Sequence, residues 1–199
     1  MASHPHRIPE FMVDPVFLER WSPRAFVPQR IDDQTLFSLF EAARWAPSAS
    51  NSQPWRFVYA HNGGKGWDEL FGLLNANNKR WAGRASVLVL ILSKKIHTRD
   101  GGEPAPLRNH SFDAGAAWAS LAFQAHYSGL KTHAIGGFDR EAARKILGIP
   151  DHYNVEILVA AGRQGEPSAL PPDFHDREKP NGRRPLRELT AEGEFTFSD

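Results

Sequence analysis

Apolar positions recur at two different periods along the chain, and the changes between them place most of the elements. In IDDQTLFSLFEAARW, Leu36, Leu39, Phe40 and Ala43 fall at helical spacing behind Asp32 and Asp33, two cap candidates, and Pro47 ends the run. DPVFLERW (Asp14 to Trp21) predicts a shorter helix ahead of it, with Asp14 as N-cap and Pro15 at the first helical position. That helix stops at Ser22-Pro23, because a residue before proline is pushed out of the helical region. Trp55 to His61 reads as a strand, Lys65 to Leu74 as a helix, and NANNKRWAGR as a polar connection with one helical turn. Ala85 to Leu92, ASVLVLIL, is aliphatic and β-branched throughout, the pattern of a mid-sheet strand covered on both faces.

Ser111 to Leu130 carries Ala114, Ala117, Trp118, Leu121, Ala122 and Ala125 on one stripe. The pattern predicts a long helix whose small residues allow close approach by another helix. Lys131 to Phe138 reads as a short strand running into the pair Gly136-Gly137, Asp139 caps REAARKILG, and Tyr153 to Gly162 is the last strand. Between them, Ser93 to His110 is a charged loop rich in Gly and Pro, suited to a variable lid. Interleaved helices and strands make the class α+β or α/β.

A length of 199 residues predicts a single domain spanning residues 1–199, with residues 1–13 as a flexible N-terminus and 163–199 as an extended C-terminal arm. The arm has prolines at 167, 171, 172, 180 and 185 and no long apolar period, so it is either disordered or wrapped over something. LREL and GEFTF within it keep enough apolar residues for wrapping. With no cysteine there are no disulfides and no thiolate chemistry. Twenty-four Lys and Arg against 23 Asp and Glu leave a formal net charge of +1, far from the basic excess of a nucleic-acid binder. The N-terminus has no signal-peptide pattern and no apolar run approaches a membrane span. A soluble, cytoplasmic protein with no nucleic-acid or membrane partner is expected.

The common catalytic motifs are absent: no G-x-x-x-x-G-K, G-x-G-x-x-G, G-x-S-x-G or H-E-x-x-H occurs. What remains is arginine clusters and polar loops. In RWSPR, Arg20, Ser22 and Arg24 alternate and would share one side if extended, an arrangement suited to a phosphate or to a solvated basic turn. NGRRPLREL brings Arg183 and Arg184 ahead of a proline, and alone reads as a charged tail. APSASNSQPW (Ala46 to Trp55) and AIGGFD offer amides, hydroxyls and open backbone to a flat heterocycle, or serve as turns.

Taken in order, RWSPRAF, EAARWAPSASNSQPWRFVYA, NNKRWAGRASVLVLILS, AIGGFD and the RRPL tail resemble the nitroreductase family of FMN-dependent oxidoreductases, from about Asp14 to Leu189. The resemblance implies an α+β three-layer fold with a mainly antiparallel central sheet flanked by helices, and a C-terminal arm wrapping a partner subunit. It implies a homodimer with FMN at the subunit interface, NADH or NADPH as co-substrate, and ping-pong hydride transfer to a small-molecule acceptor of quinone or nitroaromatic type. Alternatives within the same reading are an FMN-sequestering protein without turnover, or other chemistry on the same fold. It further implies that Arg20, Trp21, Ser22 and Arg183 hold the phosphate end. Arg24 and Asn78 would meet the pyrimidine edge, and Ile135, Gly136 and Gly137 would lie along the ring, where glycine permits close approach. Pro47, Ser48, Asn51 and Gln53 would come from the partner chain. Many relatives carry an acidic residue where this chain has Gly136 and a lysine near Asn181, so the potential above the ring should differ here.

Overall fold

A computed structural model describes residues 6–98 and 102–197. Its organising element is β2 (Val87–Lys94), in which alternate residues enter different cores. Leu88, Leu90 and Leu92 face one cluster; Val87, Val89 and Ile91 face another. A strand covered on both faces needs apolar residues at every position, and ASVLVLIL supplies them. β1 (Trp55–His61), β2, β6 (Tyr153–Gly162) and β5 (Lys131–Ile135) form one sheet in the order β1-β2-β6-β5, and each neighbouring pair is antiparallel. The register of β2 on β6 shifts between Ile91 and Leu92, which pair with Ile157 and Val155 and leave Glu156 as the extra residue of a bulge.

On one face, α2 (Asp33–Arg44) and α5 (His110–Tyr127) bury Leu36, Leu39, Ala114, Ala117, Leu121 and Ala125 against the sheet. The alanine stripe is what lets the two helices and the sheet pack closely. On the other face lie α3 (Trp67–Gly72), α4 (Ala76–Ala82) and α6 (Arg140–Ile146), with Trp67, Leu70, Trp81 and Ala143 in the core. The three-layer α+β arrangement is therefore present.

Caps account for most helix starts. Asp14 Oδ1 accepts from Val16 N at 2.9 Å to open α1 (Pro15–Glu19), Asp32 from Thr35 N at 2.8 Å for α2, and Asp139 from Ala142 N at 2.8 Å for α6. α1 ends two residues short of the expected Trp21. α4 corrects the expectation of a polar connection with one turn: Asn75 is an N-cap that accepts from Asn78 N at 2.9 Å, and buried Trp81 and Ala82 anchor the far end. β5 stops at Ile135, before the glycine pair. In the expected lid, β3 (Ile96–His97) and β4 (Ala105–Pro106) form a small ribbon, while residues 99–101 of that segment lie outside the described residues.

The C-terminal arm packs along its own chain. Phe174 is fully buried, Leu170 exposes 5% and Glu178 7%, and 3-10 turns at Pro167–Ala169 and Pro172–Arg177 let the proline-rich backbone follow the surface. Leu186 N, further along, donates to Glu10 Oε1 at 2.9 Å. Among the described residues of the expected flexible N-terminus, Arg7 is buried and bonded rather than solvated. No helix among the described residues is long and apolar enough to cross a membrane.

Candidate functional site

The segment Arg20 to Phe26 runs beside the edge strand β5, and burial alternates along it: Trp21, Pro23 and Ala25 face inward, while Arg20, Ser22 and Arg24 are partly exposed. The alternation expected from RWSPR is thus present. Trp21 exposes only 8%, so any part it takes in holding a group is through its main chain. The tail holds this segment in place. Gly165 N donates to Ala25 O at 2.9 Å and Val27 N to Arg163 O at 3.0 Å. Glu178 Oε1 accepts from Arg24 N and Ala25 N at 2.8 Å each. Gly165 suits this approach, since a Cβ there would sit 3.0 Å from the Phe26 carbonyl carbon and the main chain would have to shift to admit it.

Arg20 and Ser22 line a cavity of about 400 Å³ with Trp118, Ala122, Phe123 and His133. Positive charge gathers around it. Burial and the Arg183 charge pull the Arg20 guanidinium below its ordinary value. Burial, then Arg183 and Arg20, do the same to Arg7. Lys131 is lowered by burial and by Arg20 and Arg7, against an opposing pull from Glu19. Among the described residues no carboxylate pairs with Arg7, Arg20 or Arg183. Guanidiniums paired to no carboxylate, with an ammonium and a hydroxyl beside them, make a donor set for a phosphate or another compact anion. Arg24 stands apart from this group: burial lowers it, the Glu178 carboxylate raises it, and its guanidinium lies 5.9 Å from the Phe174 ring.

His133 was not anticipated from sequence. Its Nδ1 lies 3.0 Å from Pro23 O and its ring 4.6 Å from that of Trp81, and burial pushes it down to about 4. The imidazole is therefore neutral, with Nδ1–H donating to the carbonyl and Nε2 left as an acceptor. An unfolded chain binds this proton near 6.5, but the fold resists it until about 4. The stabilising contribution is full above 6.5 and is lost as pH falls from 6.5 to 4, by about 3 kcal/mol at most. Unfolding followed over that window should fall off less steeply for His133→Asn, which can keep a donor to Pro23; equal slopes would contradict the assignment.

Trp81 connects this region to the glycine turn. Its Nε1 donates to Asn78 Oδ1 at 3.2 Å, and Asn78 Nδ2 donates to Gly137 O at 3.0 Å. A Cβ on Gly137 would lie 2.4 Å from Asn75 Nδ2 and 2.7 Å from Asn78 Nδ2, whereas one on Gly136 meets no protein atom within 4 Å. The two glycines therefore differ in what the protein itself places beside them. At Gly137 a side chain would have to displace the Asn75 and Asn78 amides; at Gly136 any such demand has to come from outside the chain. Gly137→Ala should cost about 2 kcal/mol by displacing the Asn75 cap, and Gly136→Ala less than about 0.5 kcal/mol, in thermal unfolding. Equal effects would contradict the geometry. Ile135, the last residue of β5, is buried in the core beneath this turn.

The loop from Pro47 to Gln53 forms a separate group. Ser48 Oγ accepts from Gln53 N at 3.0 Å, Gln53 Nε2 donates to Asn51 O at 3.1 Å, and Ala49 N donates to Asp113 Oδ2 at 3.1 Å. Ser50, Asn51 and Gln53 have φ of 53°, 52° and 45°, left-handed positions on either side of right-handed Ser52, and of these residue types only asparagine adopts that region readily. A helix terminator needs no such strain, which costs about 1 kcal/mol or more per residue and marks loops shaped for another task. Pro47, Ser48, Asn51 and Gln53 do not line the Arg20 cavity of their own chain.

The model of the family described as "Nitroreductase family" matches residues 18–71 and 65–163. A Streptomyces coelicolor protein, SCO7141, with the provisional name NADH dehydrogenase/NAD(P)H nitroreductase is 33% identical over 182 residues, spanning 82% of this chain and 89% of that one. An NADH dehydrogenase of Thermus thermophilus is 30% identical over 181 residues, spanning 75% of this chain and 85% of its own. A crystal structure described as an oxidoreductase containing FMN superposes with a TM-score of 0.95 at 45% identity, covering all of both chains. The matched residues include the Arg20 segment, the Pro47 loop, Asn78 and the glycine turn, and on that ground the chain belongs to the nitroreductase family.

Proposed function

We propose that the protein is an FMN-dependent oxidoreductase that uses NADH or NADPH to reduce flat, electron-poor acceptors of quinone or nitroaromatic type. The observation that carries this reading is the unpaired cationic cluster of Arg20 and Arg183 beside Ser22, in a chain so similar to an oxidoreductase containing FMN. The donor set fits a phosphate monoester. Arg20, Ser22 and Arg183 would hold the phosphate, Arg24 and Asn78 the pyrimidine edge, and Ile135, Gly136 and Gly137 the ring.

Bound there, FMN supplies the two-electron chemistry by which reducing equivalents pass from the nicotinamide to the acceptor. The chain's own part is positioning and charge. Arg24 would supply a fixed positive charge toward the pyrimidine edge, and Glu178 fixes the main chain that carries it. Asn78, tied to Gly137 O, orients the turn beside the ring. Protons can come from water.

Pro47, Ser48, Asn51 and Gln53 would complete the site from a second copy, making the functional unit a homodimer. Their separation from the Arg20 cavity supports this, as do the exposed aromatics Trp45 (75%), Phe112 (80%) and Tyr127 (67%). Cofactor-free protein titrated with FMN should take up one equivalent per chain and sediment as a dimer. A chain that takes up no FMN would sink the proposal.

A further inference from the structure

Arg7 is a buried arginine in an otherwise exposed terminal segment: it exposes 9%, against 82% for Ile8 and 99% for Met12. Its Nε donates to Asn181 O at 3.1 Å, and its Nη1 donates to Leu18 O and Arg20 O at 2.8 Å each. One guanidinium thus ties together the terminus, the exit from α1 and the arm that carries Arg183. Every one of these partners is a neutral carbonyl. They satisfy hydrogen bonds without neutralising the charge, and Arg20, Arg183 and Lys131 add nearby charges of the same sign, opposed at Lys131 by the Glu19 carboxylate. A partly buried cation surrounded by like charges costs free energy unless an anion is brought to it. The Nη2 of Arg7 has no acceptor among the described residues. The segment is also held at Glu10, whose Oε1 accepts from Leu186 N at 2.9 Å, and a cavity of about 410 Å³ lies between segment and arm with Arg7 and Arg183 in its wall.

We propose that Arg7 belongs to the phosphate site: it positions Arg20 and Arg183 by gripping the main chain at Arg20 and Asn181, and adds a third positive charge for a phosphate monoester. Residues 6–13 are then a strap over the phosphate end of the cofactor. This rests on the reading of Arg20, Ser22 and Arg183 as the FMN phosphate site.

The test titrates FMN and riboflavin, which lacks the phosphate, into cofactor-free wild type, Arg7→Ala and Arg7→Lys. Arg7→Ala should weaken FMN roughly tenfold or more and leave riboflavin unchanged. Arg7→Lys keeps a charge but lacks the planar fork that reaches the three carbonyls from two nitrogens, so its loss should be intermediate; it carries the test if Arg7→Ala fails to fold. FMN binding unchanged in the variant that folds, or FMN and riboflavin weakened in equal proportion, would overturn the role of Arg7. Wild type binding FMN no more tightly than riboflavin would instead overturn the phosphate reading of the whole cluster, and the strap with it.

Discussion

Glu178→Ala is expected to lower the free energy of unfolding by about 3 kcal/mol. The carboxylate is 93% removed from solvent in the sense that Glu178 exposes only 7%, and it accepts from Arg24 N at 2.8 and 3.0 Å and from Ala25 N at 2.8 Å. Deleting it leaves two inward main-chain donors without partners, each costing about 1–3 kcal/mol. Glu178→Gln keeps one acceptor oxygen and should lose less. Because the same contact fixes the segment Ser22 to Ala25, the Ala variant should also bind FMN more weakly than its lost stability alone would produce at temperatures where it is folded. Denaturant unfolding checks the first part; a loss under about 1 kcal/mol would mean water or a shifted backbone replaces the carboxylate.

The second large effect concerns the phosphate. Arg20→Ala and Arg183→Ala each remove a charge-assisted contact worth about 1.5–3 kcal/mol, so FMN should bind roughly 10- to 150-fold more weakly in each. The Arg183 charge already lowers Arg20, so their losses are coupled and the double variant should fall short of the product of the singles. Stability should move the other way: without ligand, Arg183→Ala relieves repulsion on Arg20 and Arg7, and cofactor-free protein should be no less stable than wild type. Unchanged FMN affinity in both single variants would mean that the phosphate lies elsewhere.

How much of this was legible in the sequence depends on the distance over which each residue acts. β2 was readable because both its faces are buried and every residue says so. The caps Asp14, Asp32 and Asp139 act within three residues and were readable too. α4 was not, because the asparagines of NANNKRW resemble a loop, and what makes the helix is Asn75 capping one end while Trp81 is buried at the other. The site divides in the same way. The alternation of Arg20, Ser22 and Arg24 is local and carries its own signal. Glu178 acts on main-chain donors 153 and 154 residues away, and Arg7 on a carbonyl 174 residues away, so neither leaves a periodic trace. His133 reads as a polar residue in a short strand until Pro23 and Trp81 are placed around it. The left-handed backbone at Ser50, Asn51 and Gln53 is likewise a property of the closed loop, since serine and glutamine have no preference for it.

The most direct test is to add NADH or NADPH, without oxygen, to the FMN-loaded protein and follow the visible absorption of the flavin. The account predicts rapid bleaching by at least one of the two, and return of the colour when a quinone is added. A loaded protein that keeps its colour with both nucleotides would contradict it, and would leave a protein that holds FMN without turning it over.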